Sequence, residues 1–595
     1  MASRSFVQWR APPGRHEPRP LHRRVGRRRT GWGRAAVSAG EGSRLSVKNV
    51  LGDRSSLPLK ASSTGVDLVK LGGISVTPEQ ELRDLISDWR KQVDQLPIWS
   101  AGEERLHALM SKALSVKASF ARNGVEFPEF SWDMLLDFLI AWHFKHPIGS
   151  NSCREQDASD AVRAAVEATR LESLDAALRA QSYRVRKTGG TKFRVSYKWN
   201  MGLEVADLYL ERQAVPVNRQ EPTQKELEWA SKQARERLNI FLPPDDVVGL
   251  TMERTRRTVQ AWRAVHQDPP LLDDTDLGEG LSVGIMAEIL SLLMALAELC
   301  EMAHSSARDR GTTLQHFTEE LIVEWIVRLC EDVPRELAVQ AIRRLMAGPG
   351  KSMRTSILIP NSGLITLLPL VMFPRAIDAI VLRTAASDPA LYGPIGKRQG
   401  ERAKVWGRWL REIPGVKVVE GTKVRNLKGQ AAGDLDVVAF DPQSHKGLIL
   451  EIKWPIDALT LAETAKTDQT IVLASVQLGK LRRSLETGAV RAKLPPNWPA
   501  FDEIDWAWGV GMPQQLTPRP MPEPDMFATS FRYVSQLAPT GSLPELISVL
   551  KNPIVPELND HYQIRNVTIP LQGRYSVRVE RLECKEIDWS PAALA

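Results

Sequence analysis

The sequence predicts a multidomain protein, mostly α-helical through its N-terminal and middle regions and α/β from about residue 390 onward. Three observations carry this expectation. The chain has 595 residues, too many for one hydrophobic core, and 43% apolar with 25% charged residues is the composition of folded domains. Apolar residues recur at helical spacing through most of residues 77–347. Beyond 390, helical stretches alternate with short β-branched runs bounded by turns.

Residues 1–60 are expected to form a disordered basic tail. Residues 1–50 hold eleven Arg and one Lys against only Glu17 and Glu41, and Pro and Gly interrupt any periodicity. Residues 51–595 carry 67 basic and 69 acidic side chains, so the net charge of +8 belongs to the tail. A phosphate-neutralising arm, an organelle-targeting peptide and an extension without function share this composition.

Residues 75–265 are expected to be mainly helical. "PEQELRDLISDWRKQVDQL" and "SWDMLLDFLIAWHF" have helical spacing, with Pro78 where a first turn tolerates it. "GSNSCREQDAS" reads as a linker before a helix over 156–181. In "YRVRKTGGTKFRVSY" the period switches to two around a Gly-Gly turn, which predicts a hairpin over 183–197. Its alternation puts Tyr183, Val185, Phe193, Val195 and Tyr197 on one face, and Arg184, Arg186, Lys192, Arg194 and Lys198 on the other. A basic ribbon can follow a phosphate backbone, and a solvated sheet face has the same pattern.

Residues 278–390 are expected to be helical and mixed. The run "LSVGIMAEILSLLMALAELC" contains Glu288 and Glu298, so a buried helix is expected there and no membrane partner. Four cysteines without CxxC spacing and ten scattered histidines without HExxH argue against a disulfide framework or a zinc site. "AGPGKS" at 347–352 follows a helix and lacks the first Gly of a phosphate-binding loop, so it reads as a helix-terminating turn. No GxSxG elbow is present, and without a secretory signal the expected compartment is a reducing cytosol.

The stretch that carries chemistry is "GDLDVVAFDPQSHKGLILEIKW", residues 433–454. Two apolar strands flank a turn, yet Asp436, Glu451 and Lys453 interrupt them. Alternation gives Glu451 and Lys453 one face, with Leu450 and Ile452 in the opposite packing layer. A turn centred between Gln443 and Ser444 puts Asp436 directly opposite Glu451. Facing carboxylates repel unless a cation takes up their charge, and hard oxygen ligands at this spacing suit Mg²⁺ or Mn²⁺. Lys453 would then orient or deprotonate an attacking water, which points to phosphodiester hydrolysis.

These residues resemble the core of the PD-(D/E)XK nuclease superfamily, the restriction-endonuclease-like fold, with Asp436 as its first acid and Glu451, Ile452 and Lys453 as (D/E)-x-K. "GDLD" replaces the Pro of the motif's name and is similar to the GxxD form of the superfamily. The resemblance covers about residues 390–515 and implies an αβββαβ order: a helix at 396–413, strands at 415–424 and within 433–454, a helix at 470–486 and a strand at 504–510. It implies Glu401 as a third member of the acidic, metal-binding cluster and Gln477 as a polar active-site residue. Lys480, Arg482 and Arg483 are expected nucleic-acid contacts on the second helix, as are Arg184, Arg186, Lys192 and Arg194 on the hairpin. The expected protein is a Mg²⁺- or Mn²⁺-dependent deoxyribonuclease acting in restriction, repair or defence, its helical region selecting substrate or a protein partner. The alternative is a non-catalytic helical scaffold with a degenerate nucleic-acid-binding module. Residues 516–595 are expected to add an extension with short strands.

Overall fold

The computed structural model describes residues 76–585 and Trp589, apart from residues 123–131, 214–220, 237–241, 267–270, 307–314, 350, 352–355, 368–376, 386–388, 457–460, 515–518, 524, 538–540 and 572–573. The basic tail expected over residues 1–60 lies outside the described residues.

Helix α1 (Pro78–Val93) begins where Thr77 Oγ1 accepts the Gln80 N–H at 3.2 Å. It buries the stripe Leu82, Ile86, Trp89 and Val93. With α2 (Glu104–Arg122) and α3 (Trp132–Lys145) it packs on α4 (Glu155–Arg179), whose buried residues make it the centre of the first helical core. Strands β1 (Tyr183–Gly189) and β2 (Lys192–Tyr197) form the hairpin in the expected register, Tyr183 opposite Tyr197 and Val185 opposite Val195.

After α5 (Gly202–Gln213), a second helical core is built from α6 (Gln224–Glu236), α7 (Asp245–His266) and α8 (Val283–Ser306). Residues Val283–Ala303 of α8 are long and apolar enough to cross a membrane, and most of that window is buried within the protein. Two of its carboxylates are paired, Glu288 with Arg256 and Glu298 with Arg254 at 3.0 Å. Strand β3 (Gln315–Phe317), α9 (Glu319–Leu329), α10 (Arg335–Leu345), β4 (Leu358–Asn361), β5 (Leu364–Leu367) and α11 (Ile377–Ala385) complete this region, the strands in the order β3-β5-β4. Helix α10 ends at Leu345, and the Lys351 N–H bonds Gly348 O at 3.1 Å, with Gly350 and Ser352 of the expected turn outside the described residues.

The single helix expected over 396–413 is two, α12 (Tyr392–Ala403) and α13 (Val405–Arg411). The Lys404 N–H reaches Glu401 O at 3.2 Å, three residues back instead of four, and the tightened turn redirects the chain. There follow β6 (Lys417–Asn426), β7 (Ala431–Asp441), β8 (Lys446–Ile452), α14 (Leu461–Glu486), β9 (Val490–Ala492), β10 (Asp505–Met512) and β11 (Met526–Ser530). They form a six-stranded sheet of order β11-β10-β8-β7-β6-β9, with β6, β7 and β8 antiparallel and β8, β10 and β11 parallel. β11 follows residue 515, so the sheet continues beyond the segment assigned to it from sequence.

Each face of this sheet has its own core. On one, Val437, Ala439, Leu448, Leu450 and Ile452 pack with Trp406 and Leu410 of α13 and with α5. Gly511 permits this approach: a Cβ there would lie 2.7 Å from Ile452 Cδ1 and 3.0 Å from the Trp406 ring. On the other, Val438 and Ile449 pack with Leu478 and Leu485 of α14, and Val510 and Met512 with its Ile471 and Ala474. α14 also touches α4, joining the sheet to the first helical core.

Helices α15 (Phe531–Ser535) and α16 (Leu543–Lys551) lead to β12 (Tyr562–Leu571) and β13 (Tyr575–Cys584). These last strands have 10 residues each and are not the short strands expected. β13 runs parallel to β2, so a second sheet of order β1-β2-β13-β12 joins segments far apart in the chain.

Candidate active site

The turn between β7 and β8 is set by Asp441, which accepts the Gln443 N–H at 3.0 Å and the Ser444 hydroxyl at 2.6 Å. From Asp441 opposite Lys446 the ladder runs to Val437 opposite Leu450, centred where the sequence placed it, and there it stops. Asp436 and Glu451 hold the next positions in the expected register, but no ladder bonds join them. The Asp436 carboxylate fills the next rung itself, accepting the Ile452 N–H at 2.7 Å. The ladder to β6 also skips Asp436, passing from Glu420–Val437 to Thr422–Leu435. The β6 residue between is Gly421, whose φ of +64 strains any other residue and whose missing Cβ would face open space. Asp436 therefore stands at a gap in both of its ladders.

Glu451 remains paired in register with Val510 of β10, and the Lys453 N–H continues that edge to Gly511 O at 2.9 Å. Lys453 Nζ lies 2.5 Å from Glu451 Oε1. Burial raises the Glu451 carboxyl above its usual range, and the charge of Asp436 adds to the shift against the pull of Lys453. Burial likewise raises Asp436, outweighing the Ile452 N–H and Lys453. Both carboxyls also feel Asp434, which pairs across the ladder with Lys423 at 3.1 Å. Two carboxylates share one ammonium, and the patch is short of positive charge.

The other expected residues are not all gathered here. α12 does reach the end of β8, because the Arg402 guanidinium lies over the Trp454 ring at 5.6 Å. Its neighbour Glu401 instead faces Arg398 at 3.2 Å. Among the described residues no three His, Cys, Asp or Glu side chains form a group that could hold a metal, so Glu401 is not brought into a cluster with Asp436 and Glu451. Gln477 lies on the exposed side of α14, while Leu478 beside it is buried. Of the basic residues after it, Arg482 pairs with Glu486 at 2.7 Å, Arg483 pairs with Glu523 at 2.5 Å, and Lys480 is exposed. Arg184, Arg186, Lys192 and Arg194 are exposed on the other sheet.

Sequence reasoning missed Lys423 and Gly421. A count back from the "NLKGQ" turn misses their pairing by one residue, because the register shifts between Val424 and Arg425 and so brings Lys423 opposite Asp434.

No protein-family model, curated protein or solved structure matches this chain. The chemistry therefore rests on the geometry alone. Two hard oxygen donors whose proton affinity is raised by burial and by neighbouring carboxylates are the donor set a divalent cation stabilises, and Asp436 and Glu451 fit Mg²⁺ or Mn²⁺ in that sense.

Proposed function

We propose that this chain is a metal-dependent nuclease that hydrolyses phosphodiester bonds of DNA, with residues 390–515 as a PD-(D/E)XK-type core. The observation that carries the reading is the convergence of Asp436, Glu451 and Lys453 at the splayed end of β7 and β8, two carboxylates with raised pKa against one ammonium. Asp436 and Glu451 would hold Mg²⁺ or Mn²⁺, which when bound supplies Lewis-acid stabilisation of a phosphodiester. Lys453 orients the attacking water and stabilises negative charge developing on the phosphate. Glu451 positions that ammonium through its 2.5 Å contact. The Ile452 N–H fixes the Asp436 carboxylate, so the first acid is held before substrate arrives. α4 rests against α14, which covers the same face of the sheet, and this seats the helical region where it can select substrate or a protein partner.

The test is cleavage of plasmid DNA with Mg²⁺ or Mn²⁺. Wild type cuts, chelation stops it, and Asp436→Asn and Lys453→Met lower the rate by about 10²-fold or more. The alternative is a non-catalytic nucleic-acid-binding module on a helical scaffold. Absence of cleavage of every DNA and RNA form with either ion would favour it over the nuclease.

A further inference from the structure

The sheet β1-β2-β13-β12 buries one face and exposes the other. Phe193, Val195, Ile569, Val577 and Val579 point into the first helical core. By alternation Arg186, Arg194 and Arg578 point outward, and all three are exposed. The register aligns them: Arg186 stands opposite Arg194, and Arg194 opposite Arg578. Three arginines from three adjacent strands thus share one rung, on strands about 5 Å apart. Arg184 and Lys192, two residues to either side on β1 and β2, are exposed as well. The acidic residue on this face of the three strands is Glu580, 3.5 Å from Arg194 and engaged by the Tyr197 N–H at 3.1 Å. Like charges directly opposite one another destabilise a sheet. Among the described residues on this face, five cations against one carboxylate leave that repulsion largely unrelieved.

We infer that this face is a docking surface for the phosphate backbone of double-stranded nucleic acid, bound without regard to sequence. A polyanion supplies what the rung lacks, several negative charges at close spacing. Ser196, Ser576 and Thr568 occupy neighbouring outward positions, so the surface is polar between its cations. Tyr183 and Tyr197 stack on each other at 4.8 Å on the opposite face, so neither ring offers a platform for unpaired bases on this one. The exposed apolar residue on the sheet, Ile564, is four rungs beyond Thr568 on the edge strand β12, a poor anchor for a lipid surface. Arg578 completes the row, and it comes from a strand that the hairpin's own sequence does not announce. The inference concerns binding alone and holds whether or not the hairpin site cleaves.

The experiment measures binding of the full chain to a labelled duplex of about 30 base pairs and arbitrary sequence, in EDTA, between about 50 and 200 mM salt. Arg186→Gln/Arg194→Gln/Arg578→Gln should weaken binding about 10-fold or more and reduce the slope of log K against log salt by about 2 to 3. Its melting temperature should be unchanged or raised, because the substitutions remove repulsion. If the triple variant fails to fold, each single substitution should lower the slope by about 1. Wild-type affinity and slope in the folded variants would overturn the inference, as would loss of binding to phosphatidylserine vesicles with duplex binding intact. Binding is read in EDTA and cleavage with Mg²⁺ or Mn²⁺, so a failed cleavage assay and a failed docking surface give different results.

Discussion

In the helical region the fully buried Glu226 meets Arg254 at 2.7 Å, and Arg254 also meets Glu298 at 3.0 Å; at the end of β7 and β8 two carboxylates share one lysine. Burial alone would raise the Glu226 carboxyl, but hydrogen bonds from Thr251, Thr223 and Arg254 outweigh it and hold the group below its usual range. Asp175 behaves likewise, with Arg90 and Arg179 overcoming its burial. Arg263 lies between Asp378 and Asp273, each at 2.7 Å. Glu167 is raised by burial, yet it takes the Trp89 indole N–H and faces Arg163 and Arg170. Most of these charges have one or more full charge partners inside the protein, and of Glu226, Asp175 and Glu167 only Glu167 stays raised. Asp436 and Glu451 share Lys453 and both stay raised. Under the proposed function, that difference separates buried charge that holds a fold from buried charge that would take a ligand.

Removing a partner on the compensated side should have the largest effect on stability. Arg254→Met strands the Glu226 carboxylate in the core and should cost about 3 to 5 kcal/mol, read by denaturant unfolding. A variant as stable as wild type would show that the pair holds nothing. On the uncompensated side, Mn²⁺ at about 100 times its Kd should stabilise the wild type by about 2.7 kcal/mol in thermal melts. Asp436→Asn/Glu451→Gln should show no such gain; an equal gain in both proteins would place the ion elsewhere.

Gly511→Ala probes the join between the two kinds of structure. Its Cβ would press on Ile452 and Trp406, and a cost of about 1 to 3 kcal/mol is expected, together with slower cleavage, because Gly511 O holds the Lys453 N–H. Unchanged melting would mean that α13 shifts away freely.

The smallest effects are in pH dependence, and they have opposite signs. Asp436 and Glu451 have raised folded pKa values, so the stability they contribute is present below about pH 4 and is lost as pH rises through those values. His143 is pushed down to about 4 by burial and by Arg105, so its contribution is present above about pH 6.5 and is lost as pH falls through about 4. In EDTA, Asp436→Asn/Glu451→Gln should melt about 1 °C above wild type at pH 8, with the difference vanishing toward pH 4. His143→Gln should flatten the acid side alone. The reverse pattern would contradict both assignments.

Local pattern determined much of this protein. The stripe of α1, the alternation of β1 and β2, the apolar run of α8 and the hairpin centred between Gln443 and Ser444 follow from side-chain period and turn chemistry, which act over a few residues. The same period named Asp436, Glu451 and Lys453 as misplaced in a core strand. What alternation could not supply is where a ladder stops. The gap at Asp436 depends on Gly421 from another strand and on the side chain competing for a backbone N–H. Nor does helical period show that Glu401 pairs with Arg398 within α12, or that Trp406 of α13 seats against Gly511. The pairing of β13 with β2 joins distant segments, and neither strand's pattern encodes its partner, because strand pairing is chosen by the packing of the whole sheet on its core. Sequence therefore chose the residues of the candidate site and of the arginine row, and tertiary structure decided which of them meet.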